Sequence, residues 1–323
     1  MKIGAVEIVT PLALAPMAGV TDLAFRTICR EMGAGYTVTE MVSAKALCYQ
    51  DKKTLPIMRL GEGEHPAAVQ LFGSDPGCME EAAAIVVEKA HPDIIDINMG
   101  CPVGKVVKSG DGSALMRTPD LAVAVAKAVI RGAKGLPVTV KLRSGWDKGS
   151  INCVELAQAL QDAGVAAIAV HARTKTQGYA GRADWNVLRA VKAALHIPVM
   201  ANGDIFSGED AAHILRYTGA DIAMIGRGVF GNPWIFRDAK AVLAGQPVPP
   251  PPTLAERCAT ATRQFEMAMA NKGEKIACLE ARWHYTRYLK GVPHAAYWKE
   301  QLCRVETAED VERCTKGILH DLA

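Results

Sequence analysis

The chain has 323 residues, of which 50 % are hydrophobic, 22 % charged and 6 % aromatic, and its formal net charge is +3. This composition excludes a disordered or fibrous protein and is typical of an α/β protein with room for one large domain and an appendage. So small a net charge does not by itself indicate a nucleic-acid-binding protein, and any anionic partner must therefore bind a local basic site.

The cysteines and the N-terminus bear on the cellular compartment. The nine cysteines are odd in number and no two have C-x-x-C spacing, so the sequence predicts neither a disulfide framework nor a zinc site. Glu7 interrupts the N-terminus before an apolar signal-peptide core forms, and no uncharged run approaches the roughly 18 residues of a membrane helix. We therefore expect a cytoplasmic protein with no metal and no membrane span.

Eight short β-rich segments recur along the chain, and most are apolar before they turn polar or glycine-rich at their ends. They are residues 12–15, 36–41, 67–73, 94–99, 137–143, 167–172, 198–202 and 222–225. Helix-like stretches separate them, most clearly at residues 79–90, 119–132, 152–162, 185–195 and 208–217. Eight alternations of strand and helix favour a closed (β/α)8 TIM barrel over an open, doubly wound sheet, which is the structural alternative.

The rest of the chain predicts a second, helical domain. A predicted helix at residues 233–244 is followed by GQPVPPPP at 245–252, and proline-rich sequence of this kind forms a stiff spacer. Beyond it, Thr253 and Glu256 predict a capping box at the start of a helix. We therefore predict a catalytic barrel at 1–244, a linker at 245–252 and a domain of three to four helices at 253–323.

The candidate active site consists of the polar residues at the strand ends, because the active site of a TIM barrel lies on the loops that follow the strands. In chain order, these residues are the segment 15–22 (APMAGVTD), Gln70, Asn98, Cys101, Lys141, Arg143, His171, Arg173, Asn202, Gly203, Asp204, Gly226, Arg227 and Gly228. Lys141 and Arg143 are two residues apart and share a face of one strand, and the same spacing relates His171 to Arg173.

Glycine-rich turns follow the predicted seventh and eighth strands, where phosphate sites recur in barrels. Backbone N–H groups of these turns can bind an anion, and Arg227 can add a charged contact. Taken singly, Gly203, Gly226 and Gly228 are ordinary turn residues. Two such turns on adjacent strands favour a phosphate site.

Lys141 ends an otherwise apolar strand, where it either reaches out to the rim or faces a buried, electron-rich ring. A phosphate site together with such a lysine is typical of flavin mononucleotide (FMN), whose reduced ring carries negative charge. Gln70 and His171 could then bind the carbonyl and imide edge of the ring. For His171, a structural role remains the alternative.

Cys101 lies between Gly100 and Pro102 at the end of the predicted fourth strand, an unusual position for a buried structural cysteine. A free thiol has a pKa of about 8.5, so Cys101 is mostly protonated at neutral pH. Above a flavin it could act as general acid, giving a proton to the carbon beside the one that receives the hydride. The alternative role is a nucleophilic thiolate, which needs a base.

Basic residues are frequent on the same predicted loops, which suits an extended anionic substrate. They are Lys105, Lys108, Arg173, Lys175 and Arg182, the last three around Tyr179. In the tail, the segment 281–290 (ARWHYTRYLK) mixes basic and aromatic residues. Such a segment either binds nucleic acid or places Trp283 and Tyr288 in the core of a helical bundle.

Together, the strand-end segments resemble those of the tRNA-dihydrouridine synthases. The similar segments are APMAGVTD (15–22), NMGCP (98–102), VKLRSGW (140–146), HARTKTQGY (171–179), ANGDI (201–205) and MIGRG (224–228). The resemblance implies an FMN-bearing barrel followed by a helical domain that helps to grip tRNA. It also implies reduction of the C5–C6 double bond of specific tRNA uridines, after NADPH or NADH has reduced the FMN.

The resemblance further implies a role for each site residue. Cys101 would be the proton donor; Pro16, Met17 and Ala18 would line the flavin; Gln70, Lys141 and His171 would hold its ring; Asn202, Gly203, Asp204, Gly226 and Arg227 would hold its phosphate end; and Asn98, Arg143 and Arg173 would contact the uracil. A uracil must be extruded from folded tRNA to reach such a site. We expect a monomer whose partners are tRNA and NAD(P)H. The alternatives are a flavin-dependent dehydrogenase of a free pyrimidine or another small enone, and an RNA-binding protein with the barrel as scaffold.

Overall fold

Eight parallel strands form a closed barrel in the computed structural model, which describes residues 1–52 and 54–322. Two hairpin strands, β1 (Lys2–Ile3) and β2 (Val6–Glu7), precede the eight barrel strands. The barrel strands are β3 (Leu12–Leu14), β4 (Tyr36–Ser43), β5 (Ala67–Phe72), β6 (Ile94–Met99), β7 (Val138–Arg143), β8 (Ala167–His171), β9 (Val199–Asn202) and β10 (Ile222–Ile225). Strands β3 to β10 are neighbours in chain order, and β10 pairs with β3 to close the barrel. The predicted (β/α)8 barrel is confirmed, with differences of one or two residues at several strand ends.

Helices cover the outside of the barrel and continue beyond it. They are α1 (Leu23–Glu31), α2 (Ala44–Cys48), α3 (Pro76–Ala90), α4 (Gly104–Lys108), α5 (Pro119–Gly132), α6 (Cys153–Asp162), α7 (Trp185–Ala194), α8 (Gly208–Thr218), α9 (Ile235–Leu243), α10 (Leu254–Lys272), α11 (Glu274–Tyr288), α12 (Ala296–Leu302) and α13 (Ala308–Leu322). Among the residues that the structure describes, no helix is long and apolar enough to cross a membrane.

Strands β1 and β2 form a hairpin that was not predicted from the sequence, because strands of two residues have no detectable periodicity. Ile3 and Ile8 are fully buried and pack with residues at the amino ends of the barrel strands, such as Ile94 and Ile222. The hairpin therefore closes the amino end of the barrel. The opposite end, where the strands become polar, stays open.

The last four helices pack on one another and on the barrel. Their apolar cluster includes Ala24 of α1 and Trp234 beside α9. The predicted capping box is confirmed, since Thr253 Oγ1 accepts from the N–H of Glu256 and the Glu256 carboxylate accepts from the N–H of Thr253. Residue 323, the last of the predicted tail domain, lies outside the described residues.

Two aromatic residues of α11 take different positions. Tyr288 is buried in the bundle, where its hydroxyl donates to Gln264 Oε1 at 2.8 Å, so it is a core residue. Trp283 is half-buried against the barrel, and its ring meets that of Phe230 edge to face at 4.9 Å. The α11 helix is therefore tied to the loop that follows β10.

Candidate active site

A cavity of about 330 Å³ opens at the carboxyl ends of the barrel strands, within the range of about 300–1,000 Å³ typical of ligand pockets. The residues to which the resemblance assigns a role all line it except Arg173; those in the lining are Pro16, Met17, Ala18, Gln70, Asn98, Cys101, Lys141, Arg143, His171, Asn202, Gly203, Asp204, Gly226 and Arg227. Gly228, and Gly19, Thr21 and Asp22 of the segment 15–22, do not line it. Met41, Gly100, Val103, Phe206 and Phe230 also line it and were not selected from the sequence. Residues far apart in the chain therefore meet because their strands end at one face.

The three glycines of the last two loops differ in what their missing side chains allow. A Cβ on Gly228 would lie 2.2 Å from the carbonyl oxygen of Ile205, and one on Gly203, whose φ is +132°, would lie 2.8 Å from Ala183. These two glycines are required for close packing of the loops. A Cβ on Gly226 would meet nothing within 3.8 Å and would project between cavity-lining residues. Gly226 therefore leaves space for a ligand.

The charged side chains of the cavity lining, among the described residues, are Lys141, Arg143, Arg227 and Asp204. Burial and the neighbouring Arg143 lower the pKa of Lys141 to about 8, so the amine still carries its charge at neutral pH. Its Nζ lies 3.5 Å from Asn202 Oδ1, a long hydrogen bond that leaves its donors largely free. Three cations against one carboxylate suit an anionic ligand.

Cys101 is half-buried, and its loop is held by hydrogen bonds on both sides. Asn98 Oδ1 accepts from the N–H groups of Gly100 at 3.1 Å and Cys101 at 2.8 Å, and Ser113 Oγ donates to the Cys101 carbonyl at 2.9 Å. Burial raises the pKa of the Cys101 thiol, against the opposing effect of nearby backbone and cations. The thiol is therefore protonated at neutral pH, which suits a proton donor and opposes a thiolate nucleophile.

His171 is neutral in this site. Burial, reinforced by the charges of Lys141 and Arg143, lowers the pKa of His171 to about 2. Its imidazole forms part of the cavity wall, 6.0 Å from the ring of Tyr179 between centroids. A neutral imidazole can donate one hydrogen bond and accept another, but it cannot serve as a proton store near neutral pH.

Arg143 reaches the cavity but is largely engaged by backbone carbonyls. Its guanidinium donates to the carbonyl oxygens of Gly100 at 2.9 Å and of Thr174 and Gly178 at 3.0 Å. It therefore ties the loop after β6 to the loop after β8.

Arg173 lies outside the cavity lining, unlike the other residues to which the resemblance assigns a role. It is 2 % exposed, and its Nη2 donates to both carboxylate oxygens of Asp204, at 2.8 and 2.7 Å. The spacing of two from His171 does not place both side chains on one face, because β8 ends at His171 and Arg173 belongs to the following loop. Arg173 instead holds Asp204, which in turn lies 3.4 Å from Arg227.

Asp96 is a buried carboxylate that is not among the residues expected in the site from the sequence. It is 3 % exposed in the middle of β6 and contacts Gln70 and Thr139. A single acidic residue within the run IIDINM was the available signal, since an aspartate in a strand buried on both faces needs partners.

Comparison with known proteins shows the family. The family model described as dihydrouridine synthase (Dus) matches residues 13–321. The tRNA-dihydrouridine synthase B of Xanthomonas campestris pv. campestris is 42 % identical over 309 residues, covering 96 % of this chain and 92 % of that protein. The tRNA-dihydrouridine synthase B of Vibrio cholerae serotype O1 is 41 % identical over 330 residues, covering 100 % of both chains.

Solved structures with the same fold are more distant in sequence. The old yellow enzyme homologue of Zymomonas mobilis has a TM-score of 0.54 at 15 % identity, covering 77 % of this chain and 92 % of that chain. A 2-naphthoyl-CoA reductase has a TM-score of 0.61 at 12 % identity, covering 76 % and 52 %. These likenesses concern the barrel fold alone. The sequence matches extend over nearly the whole chain, and the protein therefore belongs to the dihydrouridine synthase family.

Proposed function

We propose that this chain reduces the C5–C6 double bond of uridines in tRNA, with FMN as its flavin and Cys101 as the proton donor. The enzyme is a flavin-dependent oxidoreductase, as its family membership requires, and the relatives named above are tRNA-dihydrouridine synthases. The observation that carries the proposal is a protonated thiol in the wall of a positively charged cavity at the mouth of a barrel.

The residues around the cavity fit FMN. Gly226 leaves a space that a Cβ would fill, and Arg227 beside it supplies a cation for the phosphate end. Lys141 would face the pyrimidine part of the ring, with Gln70 and neutral His171 as its hydrogen-bonding neighbours. When bound, FMN supplies the hydride that one carbon of the uracil receives.

Cys101 would hold a proton at Sγ for the neighbouring carbon of the uracil. Asn98 fixes the backbone of the Cys101 loop, and Arg143 fixes the same loop through Gly100. Both also line the cavity and would contact the uracil. Arg173 acts indirectly, by orienting Asp204 and with it Arg227.

The tRNA would be bound by the loops around the cavity and by the helical tail. Extruding a uracil costs a few kcal/mol, which contacts to the flanking RNA must offset. Lys105 and Lys108 are exposed on α4, which follows Cys101 in the chain. In the loop after β7, the ring of Trp146 contacts the cations of Arg117 and Lys175, whose charged groups lie 4.8 and 4.5 Å from its centroid. These cations suit the phosphates of a nucleic acid.

NADPH or NADH would reduce the flavin, and the flavin would serve both substrates in turn, which gives ping-pong kinetics. The protein would act as a monomer without bound metal. A cytoplasmic location suits a tRNA substrate and a chain with nine cysteines.

Replacement of Cys101 tests the proposal. We expect Cys101→Ala to keep its FMN but to lose at least about 100-fold in tRNA reduction, because a positioned general acid contributes roughly 10²–10⁴-fold. The measurement is the amount of dihydrouridine that each variant forms in unmodified tRNA with NADPH, determined by mass spectrometry. Cys303→Ala is the matched control, since that cysteine is exposed on the tail.

Three outcomes would contradict the proposal. They are a colourless purified protein, full turnover by Cys101→Ala, and reduction of free uridine in preference to tRNA. The last outcome would favour the small-substrate dehydrogenase.

A further inference from the structure

We propose that Asp96 is a positioning residue for the reaction: its buried carboxylate anchors the amide of Gln70, and through Asn98 the backbone of Cys101, and its negative charge favours the charged form of Lys141. This inference rests on the proposed function, since Cys101 is the proton donor there.

The Asp96 carboxylate lies between two neighbouring strands. Asp96 on β6 is paired in register with Gln70 on β5 and with Thr139 on β7, so the three side chains lie in one row inside the barrel. Asp96 Oδ2 accepts from Gln70 Nε2 at 2.6 Å, and Oδ1 accepts from Thr139 Oγ1 at 2.5 Å. Both carboxylate oxygens are therefore used below the floor of the cavity.

A chain of hydrogen bonds leads from this carboxylate to Cys101. Gln70 Oε1 accepts from Asn98 Nδ2 at 2.8 Å, and Asn98 Oδ1 accepts from the backbone N–H of Cys101 at 2.8 Å. Each residue thus fixes the next one, across the neighbouring strands β5 and β6. Gln70 and Asn98 also line the cavity, so the chain orients groups that face the ligand.

The two ends of that chain fix its direction. Its upper end is a backbone N–H, which can only donate, and its lower end is Asp96 Oδ2, which accepts from Gln70 Nε2. Burial raises the pKa of Asp96, while the hydrogen bonds from Thr139 and Gln70 and the charge of Lys141 favour the ionised form. Each end of the chain is compatible with only one orientation of the Gln70 and Asn98 side-chain amides, and the two ends require the same one. With both ends fixed, Gln70 presents a single arrangement of donor and acceptor to the cavity, which a lone glutamine would not do.

The charge of Asp96 acts on Lys141. Lys141 is two residues beyond Thr139 on β7 and shares its face, so it lies above the Asp96 row. The titratable groups that interact with Lys141 are Asp96 on β6, Cys101 in the loop after β6, Arg143 on the same strand as Lys141, and His171 on β8. Tyr36 on β4 also faces Asp96. Asp96 is the carboxylate that favours the charged form of Lys141 among these groups.

Two substitutions separate the anchor from the charge. Asp96→Asn can still accept from Gln70 if its amide nitrogen donates to the hydroxyl of Thr139, so it removes the charge and keeps the anchor. Asp96→Leu has the same number and branching of side-chain heavy atoms, although its methyl groups are larger than oxygens, and it removes both. Asp93→Asn is the matched control, because Asp93 accepts hydrogen bonds from His65 and Ala67 just before β6, outside the cavity lining.

The experiment compares the FMN-loaded variants with the wild-type protein in three measurements. We expect Asp96→Leu to lose at least about tenfold in the rate at which tRNA reoxidises dithionite-reduced enzyme, while flavin reduction by NADPH stays within about twofold. Hydrogen exchange should become faster in Asp96→Leu for the peptide that contains Gly100 and Cys101, and should stay unchanged in Asp96→Asn. In Asp96→Asn, the rate of the tRNA half-reaction should begin to decline about one pH unit lower than in the wild type, because loss of the Asp96 charge lowers the pKa of Lys141.

The outcomes also distinguish this inference from the proposed function. A wild-type protein that forms no dihydrouridine overturns the proposed function, and the hydrogen-exchange result still tests the hydrogen-bond chain. A working wild-type enzyme with both Asp96 variants like Asp93→Asn in rate, exchange and pH profile overturns the role of Asp96. Equal losses in both half-reactions would do the same, because they would indicate general damage to the fold.

Discussion

The charge of Lys141 depends strongly on its surroundings. Burial and Arg143 bring its pKa down to about 8, from roughly 10.4 for a free lysine side chain. The folded protein therefore binds fewer protons than the unfolded chain between these values, and the amine loses its charge as the pH rises through about 8. Any step that needs a cation at this position must slow over the same range.

We expect the tRNA half-reaction to decline as the pH rises through about 8, and the decline to disappear below pH 10 in Lys141→Arg, because a guanidinium stays charged. The measurement is the rate of flavin reoxidation by saturating tRNA between pH 6 and 10. Cys101 does not cause the decline in rate near pH 8, since burial raises its pKa. If the rate of Lys141→Arg declined over the same pH range as that of the wild type, the titrating group would be a different residue.

At this scale, the sequence predicted which residues meet, but not all of their contacts. Lys141 and Arg143 were placed on one face by their spacing, and both line the cavity. The same rule does not hold for Arg173, because the strand ends two residues earlier. Asp96 was not predicted, because its partners Gln70 and Thr139 are on other strands and only the closed barrel brings the three together.

At the scale of elements, the carboxyl ends of β9 and β10 form one unit. The two following loops approach each other at Gly228, where a Cβ would lie 2.2 Å from the carbonyl oxygen of Ile205. Sequence alone left Gly226 and Gly228 as either turn residues or parts of a phosphate site. The structure separates them: Gly228 allows the loops to meet, and Gly226 leaves space in the cavity.

We expect Gly228→Ala to lower FMN affinity by at least about tenfold, because the added methyl group must push the two loops apart. Overpacking of this kind costs roughly 1–3 kcal/mol, and about 1.4 kcal/mol is a tenfold change in binding. The measurement is FMN titration of deflavinated protein by fluorescence. Gly149→Ala is the matched control, since its Cβ would meet nothing closer than 3.5 Å. Equal affinity in the two variants would show that the loops tolerate separation.

At the scale of the whole molecule, the tail is joined to the barrel by contacts of several kinds. Lys272 Nζ lies 2.8 Å from Asp22 Oδ2, next to the loop that follows β3, and Arg263 pairs with Glu31. Trp234 belongs to the apolar cluster of the tail. Removing residues 253–323 would expose this surface, so loss of activity in such a truncation would not identify a tRNA-binding role. The sequence predicted the helices and the linker, but an interface between two folded parts leaves no periodic signal.

A single substitution at the junction gives a sharper test of the tail. Gly231 follows the cavity-lining Phe230, has φ of +63°, and would place a Cβ 2.2 Å from the backbone of Arg287 in α11. We expect Gly231→Ala to shift α11 away from the cavity and to raise the KM for tRNA at least about tenfold, by the same overpacking cost. Flavin reduction by NADPH should stay within about twofold, because it does not need the tail.

Gly245→Ala is the control for backbone strain, since Gly245 has φ of +67° but nothing within 4 Å of its Cβ position. Steady-state kinetics with varied tRNA would give KM and kcat for both variants. If Gly231→Ala and Gly245→Ala had the same KM for tRNA as the wild type, the position of α11 would not matter for tRNA binding. A tenfold rise in Gly231→Ala alone would mean that the barrel mouth and α11 bind one tRNA together, because the substitution changes only how these two surfaces are arranged.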